Sequence, residues 1–441
     1  MKNISTFQAV LMGVFGVFAL IGIFVFATYS GSSSNKATVG TVVIWGELPK
    51  EQMTQALATM TQSDQTLQKV SYIYKDPATF ETELTSAIAS GEGPDLVLIS
   101  QEDLGPLMKE LTPIPYTSLP QRTFTDTFSD ACSIYLAPEG IYGIPVAIDP
   151  LMLYYNRTML SSASIAAPPA TWEALTGLVS QVTEHSSSQN ISRALVALGT
   201  YDNVHDARGI LSTLFLQAGV PIVERNAQGR PTASLGISSS VTAPGESVVR
   251  FYTQFADPSK VSYTWNVALP DSLQMFTNGD SALYLGYASE ASFIAAANPN
   301  LSFDMAPVPQ LATASFKTDY ARVYAFALPR GGANQAGALL AASTFSKAAN
   351  EQIVAAATKL APALRSLLAA PPSDPIANAV YPQAIMARAW LSPAPAVTDQ
   401  IFSRMILDVV TGRAPIAQAL ASAEQLIEAQ LSGVNQLSTT P

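Results

Sequence analysis

The sequence predicts an α/β fold, because β-branched runs alternate with segments of helical character. Residues 39–45 and 67–74 have the β-branched and aromatic composition of strands, and residues 50–60 between them have the composition of a helix. Length is a second observation. About 400 residues follow the apolar N-terminus, which is more than one compact core holds. We therefore expect two α/β lobes.

The next two elements continue the alternation. Asp76 and Pro77 are residue types that favour a helix cap and a first helical turn, and Gly91 ends the helical pattern that follows them. Residues 94–99 (PDLVLI) then form a short apolar strand. This β-α-β-α-β order predicts the start of a doubly wound lobe.

Ligands of doubly wound sheets bind beyond the carboxyl ends of the strands. Trp45 ends the first predicted strand and Glu47 follows it, and Gln101 and Asp103 follow the third. The topology therefore predicts that these four side chains lie at one rim of the lobe, where they can contact a ligand.

Residues 7–28 form an uncharged apolar run of roughly 22 residues, which is long enough to span a bilayer as a helix. The run exceeds the apolar region of a secretory signal, and the sole cysteine, Cys132, lies too far along the chain for lipid attachment. Lys2 favours a cytoplasmic N-terminus. We therefore predict a single-pass protein of the cell membrane with an anchor at residues 1–29, a flexible linker at 30–40 and an extracytoplasmic remainder.

Composition and motifs argue against several classes of function. The formal net charge of −10 and the lack of a basic run argue against nucleic acid as a partner. His185 and His205 are the only histidines and have no metal-ligand spacing, and the sequence has no phosphate-binding glycine motif. We expect no metal site and no cofactor. Glu47 and Asp149 could form the acid pair of a glycosidase, so a hydrolase stays an alternative.

The most specific motif covers residues 140–149 (GIYGIPVAID) and continues at residues 153–157 (LYYNR). It closely resembles the G-x-x-Y-G-I-P…Y-Y-N-K motif of the family 1 extracellular solute-binding proteins of ABC transporters, the maltose-binding-protein-like group. Five further segments resemble that family, in the family's order along the chain: residues 89–97, 168–175, 276–283, 362–366 and 410–413.

The resemblance implies a type II periplasmic-binding-protein-like fold with two α/β lobes joined by crossing segments. It places lobe 1 at residues 41–148 and 308–362, lobe 2 at residues 149–307 and 363–432, and a flexible tail at residues 433–441. It also implies a non-catalytic function. The protein would capture a small solute between the lobes, close around it by a hinge motion, and deliver it to ABC permease subunits.

The resemblance further implies that a sugar or oligosaccharide is the favoured solute. Aromatic rings cover the apolar face of a sugar, and carboxylates or amides accept its hydroxyl protons. The candidate ligand-binding residues on this basis are Trp45, Glu47, Gln101, Asp103, Asp149, Tyr287, Glu290 and Tyr324.

One departure from the family concerns the ligand. Sugar-binding members carry G-x-W after the element that residues 276–283 resemble, whereas this sequence has Gly286-Tyr287-Ala288. The missing tryptophan weakens the expectation of a sugar, and Glu290 leaves room for a cationic or amino-bearing solute. Two alternatives to a sugar-binding protein thus stay open, a binding protein for a non-sugar solute and a membrane-tethered glycan hydrolase.

Overall fold

A computed structural model describes residues 39–186, 190–237, 243–314 and 316–437 of the 441-residue chain. The predicted anchor and most of the predicted linker lie outside these ranges, as does the end of the predicted tail. None of the helices within these ranges combines the length and the apolar character that a membrane crossing requires.

Strands and helices alternate along most of the described chain. The strands are β1 (Val42–Gly46), β2 (Val70–Tyr74), β3 (Leu96–Ser100), β4 (Leu111–Thr112), β5 (Leu136–Ala137), β6 (Gly140–Ile141), β7 (Ile144–Asn156), β8 (Glu184–His185), β9 (Ile191–Arg193), β10 (Ile222–Arg225), β11 (Pro231–Ser234), β12 (Leu283–Tyr287), β13 (Phe303–Ala306), β14 (Asp319–Pro329), β15 (Ala361–Pro362) and β16 (Ala387–Arg388). The α-helices are α1 (Lys50–Ser63), α2 (Pro77–Ser90), α3 (Leu104–Leu107), α4 (Gln121–Thr127), α5 (Arg157–Ser162), α6 (Trp172–Val182), α7 (Ala207–Gln217), α8 (Pro244–Thr253), α9 (Ser272–Asn278), α10 (Ala291–Ala297), α11 (Gln335–Phe345), α12 (Ala348–Thr358), α13 (Arg365–Leu368), α14 (Pro375–Met386), α15 (Pro395–Val410) and α16 (Ile416–Leu437).

The predicted β-α-β-α-β start of the chain is confirmed. Strands β1, β2 and β3 are parallel, with β1 between the other two. The Asp76 side chain accepts a hydrogen bond from the Ala78 N–H at the start of α2. Gly91 ends the same helix with a φ of 74°, a left-handed conformation that glycine adopts without strain.

One sheet of ten strands runs through both halves of the fold, along the order β12-β7-β14-β3-β1-β2. The 13-residue strand β7 holds the sheet together. Its first part pairs with β14, and its second part pairs with β12 and β13, all antiparallel. Asp149 of β7 lies opposite Arg322 of β14, at the middle of both strands. The two strands therefore cross between the lobes side by side.

Buried apolar side chains form two clusters. Ile44 and Phe326 belong to the first cluster, and Trp172 and Phe215 belong to the second. The indole Nε1 of Trp172 donates a hydrogen bond to Gln217 Oε1 at 2.6 Å, which satisfies its one polar group. Each cluster covers a different part of the central sheet, as expected of two α/β lobes.

The predicted lobe boundaries stay a prediction, and the packing around them is informative. Val308 and Tyr320 are buried in the second cluster, whereas Leu364 and Val380 are buried in the first. The packing therefore favours a return crossing within β14, closer to Arg322 than to residue 308.

Candidate functional site

The candidate site lies where β1 and β3 end and where β7 and β14 cross. Ser100, the last residue of β3, pairs in register with Tyr324 of β14. Asp149 accepts a hydrogen bond from the Ser289 N–H at 2.9 Å, which places the turn after β12 against the same crossing. That turn carries Tyr287 and Glu290, so residues distant in sequence meet here.

Glu47 and Asp103 form a pair of carboxyl groups at the ends of β1 and β3. The Ser100 N–H donates to Glu47 Oε2 at 3.2 Å, and the Ser100 hydroxyl donates to Asp103 Oδ2 at 2.7 Å. Burial and the charge of Asp103 raise the pKa of Glu47 well above its ordinary value. Burial likewise raises the pKa of Asp103. The pair can share a proton or accept hydrogen bonds from a ligand.

Gln101 and Trp45 make contacts with other protein groups. Gln101 is fully buried, and its Nε2 donates to the Tyr320 hydroxyl at 2.9 Å while its Oε1 accepts from the Val323 N–H at 2.5 Å. Trp45 is half-buried, and the Lys75 Nζ lies 3.9 Å from the centre of its ring. Gln101 thus fixes the position of β14, and the contact of either residue with a ligand stays a prediction.

Asp149 is the most deeply buried of the predicted acids, with an exposure of 0%. Its Oδ1 accepts the hydrogen bond from Ser289, and its Oδ2 has no hydrogen-bond partner among the described residues. Burial raises the pKa of Asp149 to about 6, although the Ser289 hydrogen bond and the charge of Arg322 oppose this rise.

Tyr287 and Tyr324 flank Arg322 at the crossing. The Cζ of Arg322 lies 3.7 Å from the centre of the Tyr287 ring, a cation–π contact. The backbone oxygen of Tyr287 accepts a hydrogen bond from the Tyr154 hydroxyl at 2.6 Å, which fixes the end of β12. Tyr324 is half-buried, and burial raises the pKa of its hydroxyl group, which therefore stays a hydrogen-bond donor at neutral pH.

Glu290 forms a second pair of carboxyl groups with Asp206. The Tyr284 hydroxyl lies 2.5 Å from Glu290 Oε2 and 3.3 Å from Asp206 Oδ2. Burial and the charge of Asp206 raise the pKa of Glu290 well above its ordinary value. His205 joins this pair as a possible metal ligand, since one ligand atom from each of the three residues lies within 4.8 Å of the others.

Arg208 connects the segment after β3 to the second half of the fold. Its Nη2 donates to Glu102 Oε2 at 2.8 Å, and its Nη1 donates to Asp399 Oδ2 at 3.0 Å. Glu102 also contacts Arg322, at 3.4 Å, and accepts a hydrogen bond from the Tyr320 hydroxyl at 2.9 Å. Burial raises the pKa of Glu102, but the two arginines outweigh it and the net pKa is lowered.

A polar cavity of about 350 Å³ opens beside this network, a volume within the range of small-ligand sites. Hydroxyl, carboxylate and guanidinium groups dominate its walls. The lining residues are Tyr201, Asp202, Val204, His205, Asp206, Ala207, Arg208, Gly209, Tyr287, Arg322 and Asp399.

Sequence reasoning missed the charged residues that organise the site. They are Glu102, Asp206, Arg208, Arg322 and Asp399. Arg322 had a usable signal, because a charged residue two places before Tyr324 in an apolar strand lies on the same face of that strand. The other residues had no comparable signal in the sequence.

A sheet shared by two lobes through crossing strands, with a polar cavity beside the crossing, is the architecture of a hinged solute-binding protein. A family model described as bacterial extracellular solute-binding protein matches residues 52–380, about three quarters of the chain. The chain belongs to this family, which confirms the resemblance found in the sequence. Among curated proteins, none matches the chain significantly.

Solved structures of binding proteins share the fold. The cyclic alpha-maltosyl-1,6-maltose binding protein of Arthrobacter globiformis is 18% identical, with a TM-score of 0.72 over 89% of this chain and 99% of that one. The GacH receptor of Streptomyces glaucescens is 15% identical, with a TM-score of 0.67 over 89% and 98% of the two chains. The MalE domain of Bdellovibrio bacteriovorus is 16% identical, with a TM-score of 0.65 over 89% and 100%.

The pKa of Asp149 predicts a change of stability with pH. The folded protein keeps the proton up to about pH 6, whereas the unfolded chain loses it near the ordinary value of 3.8. The stability of the folded state therefore falls as pH rises between these values, by up to about 3 kcal/mol for this group.

We expect Asp149→Asn to be more stable than the unmodified protein at pH 7.5 and to lose this advantage at pH 4, as measured by urea unfolding. Asp126→Asn, at an exposed acid on α4, is the control and should show no such difference. Equal stability of Asp149→Asn and the unmodified protein at pH 7.5 would contradict the prediction.

The Arg208 network predicts a bond between the two lobes in the ligand-free protein. Arg208→Met keeps most of the side-chain volume but leaves Glu102 with only Arg322 and Tyr320, at a cost of roughly 3 kcal/mol. We expect a lower unfolding midpoint and a larger radius of gyration in solution scattering. Arg250→Met, at an arginine whose side chain is 70% exposed, is the matched control and should change neither quantity. An unchanged radius of gyration in Arg208→Met would show that this network does not hold the lobes together.

Proposed function

We propose that the protein captures a small sugar or oligosaccharide in the cleft beside the crossing strands and delivers it to ABC permease subunits. The cavity lined by Tyr201, Tyr287, Asp206 and Asp399 carries this proposal. Tyrosine supplies an apolar ring face with a polar hydroxyl, and the carboxylates accept hydrogen bonds from sugar hydroxyl groups. The carbohydrate ligands printed in the names of the structural neighbours support the same class of solute.

Closure of the cleft is the proposed mechanism. A ligand shifts a hinge equilibrium only if it binds the closed form more tightly than the open form. Asp206 lies just before α7, whereas Arg322 lies on the crossing strand β14, so a ligand in the cavity contacts both a lobe and the hinge. The paired strands β7 and β14 allow the lobes to rotate slightly relative to each other without breaking the sheet within either lobe.

The proposed function has no catalytic step. Asp149, one candidate acid for glycan hydrolysis, is fully buried and bonded to Ser289. Glu47, the other candidate, is paired with Asp103. The family consists of solute-binding proteins, which supports a binding function. A non-sugar solute is the alternative kept open by the acidity of the cleft.

We also propose that residues 7–28 anchor the protein in the cell membrane and that the linker at residues 30–40 holds the binding domain near its permease. Tethering raises the effective concentration of the binding domain at the permease without any new contact. Support comes from the length of the uncharged run, roughly 22 residues against the ~20 that a spanning helix needs.

A ligand panel tests the proposed binding function. Maltose, maltotriose, cellobiose and mannobiose are added to the purified protein, and thermal unfolding and the radius of gyration are measured. At least one sugar should raise the unfolding temperature and compact the protein, because it binds the folded, closed form. No sugar should be hydrolysed. Steady product formation that is lost in Asp149→Asn would instead establish a hydrolase, and the absence of any response to the panel would contradict sugar binding.

Fractionation of cells tests the anchor. The full-length protein should remain in the membrane fraction after washing with high salt and be released by detergent, because an apolar helix is not displaced by screening charges. Substituting Gly13 and Gly16 by Arg should release the protein from the membrane, since each charge in the bilayer core is costly. A mature N-terminus near Gly31 in exported material would refute the anchor.

A further inference from the structure

The cleft holds more carboxyl groups than cations. Around the cavity and the crossing, the described residues include seven buried or half-buried carboxyl groups against two arginines, Arg208 and Arg322. The seven are Glu47, Glu102, Asp103, Asp149, Asp206, Glu290 and Asp399. Burying a carboxylate without a cation is costly, so this excess requires a source of positive charge or of protons.

The two arginines are already committed to particular partners. Arg208 donates to Glu102, to Asp399 and to the backbone oxygen of Pro395 at 2.9 Å. Arg322 lies against the Tyr287 ring and contacts Glu102 at 3.4 Å. It contacts the second carboxyl pair through Asp206, at 3.9 Å. Among the described residues, Asp206 and Glu290 therefore have one arginine, Arg322, near them, and its contact is longer than a hydrogen bond.

A second observation comes from Asp149. This side chain is 0% exposed, and its Oδ2 has no hydrogen-bond partner among the described residues. Its Oδ1 is held by the backbone of Ser289, the residue before Glu290, and the charge of Asp206 acts on it. Asp206 interacts with both Asp149 and Glu290, and it is the member of the three that lines the cavity. We call Asp149, Asp206 and Glu290 the acidic corner.

We propose that the solute carries a protonated amine, as an amino sugar does, and that its ammonium group binds at the acidic corner of the cleft. This inference rests on the proposed function and names the chemical class of its solute. An ammonium group supplies three hydrogen-bond donors and the positive charge that the corner lacks.

The alternative charges fit the corner less well. An anionic group would face at least three carboxyl groups with both arginines already paired, and like charges repel strongly where water is excluded. A neutral hydroxyl can donate one hydrogen bond to the corner but brings no positive charge. A protonated amine satisfies both requirements.

Matched sugars test the proposal on the full-length protein in detergent. Cellobiose and the disaccharide of two glucosamine units differ only in whether position 2 carries a hydroxyl or an ammonium group. In titration calorimetry at pH 7.5, the amino disaccharide should bind about tenfold more tightly, the effect of one charge-assisted hydrogen bond.

Two variants separate the acidic corner from general charge effects. Asp206→Asn should abolish the preference for the amino disaccharide, so that the two disaccharides bind with similar affinity. Glu290→Gln should lower the same preference, which keeps the test decisive if the first variant does not fold. Glu224→Gln removes a charge from an exposed residue of β10 and should leave the preference unchanged.

The outcomes distinguish this inference from the proposed function. Equal or tighter binding of cellobiose would overturn the amine while leaving sugar binding intact. Binding of spermidine without any sugar binding would support a cation at the corner and contradict the proposed sugar. Loss of amine binding on adding Ca²⁺ or Zn²⁺, with stabilisation by the metal alone, would show that the corner is a metal site and overturn the proposal.

Discussion

The antiparallel pairing of β7 with β14 is the constraint on which the rest of the structure depends. These strands extend one sheet across both lobes, so every element that packs on the sheet is positioned relative to them. Their register places Asp149 opposite Arg322 at the crossing. Because the strands are paired on both sides, a polar residue at this point is buried and must find partners within the protein. The crossing is therefore the hinge and the floor of the binding site in the proposed mechanism.

The ion pairs that the buried arginines and carboxylates form determine the electrostatics of the cleft. Arg322 contacts Glu102 from the first lobe and approaches Asp206 in the second, and Arg208 completes the link between Glu102 and Asp399. Burial raises the pKa of Glu47, Asp149 and Glu290, which have no cation within ion-pair distance among the described residues. A ligand that binds here competes with these internal contacts. Affinity is then the difference between the contacts that the ligand makes and those that it replaces.

The chain belongs to a family of solute-binding proteins, so the charged crossing bears on how the protein responds to a solute. A hinge that carries charged residues at its centre couples occupancy of the cleft to the relative position of the lobes. Residues that line the proposed binding cavity also bond across the lobes, as Arg208 does with Glu102. The proposed membrane tether would keep the binding domain close to a permease without requiring tight contact between the domain and the permease.

The sequence by itself determined the α/β class, the first parallel strands and their helices, and the family. These features depend on local patterns, such as the cap at Asp76 and the glycine stop at Gly91, which neighbouring residues decide. It also placed Glu47, Asp103 and Asp149 at the ends or crossings of strands. Only the tertiary structure decided that Glu290 pairs with Asp206 and that Arg208 reaches Glu102. These contacts join residues about 80 to more than 100 positions apart, and long-range pairing of charges leaves no periodic signal in a single sequence.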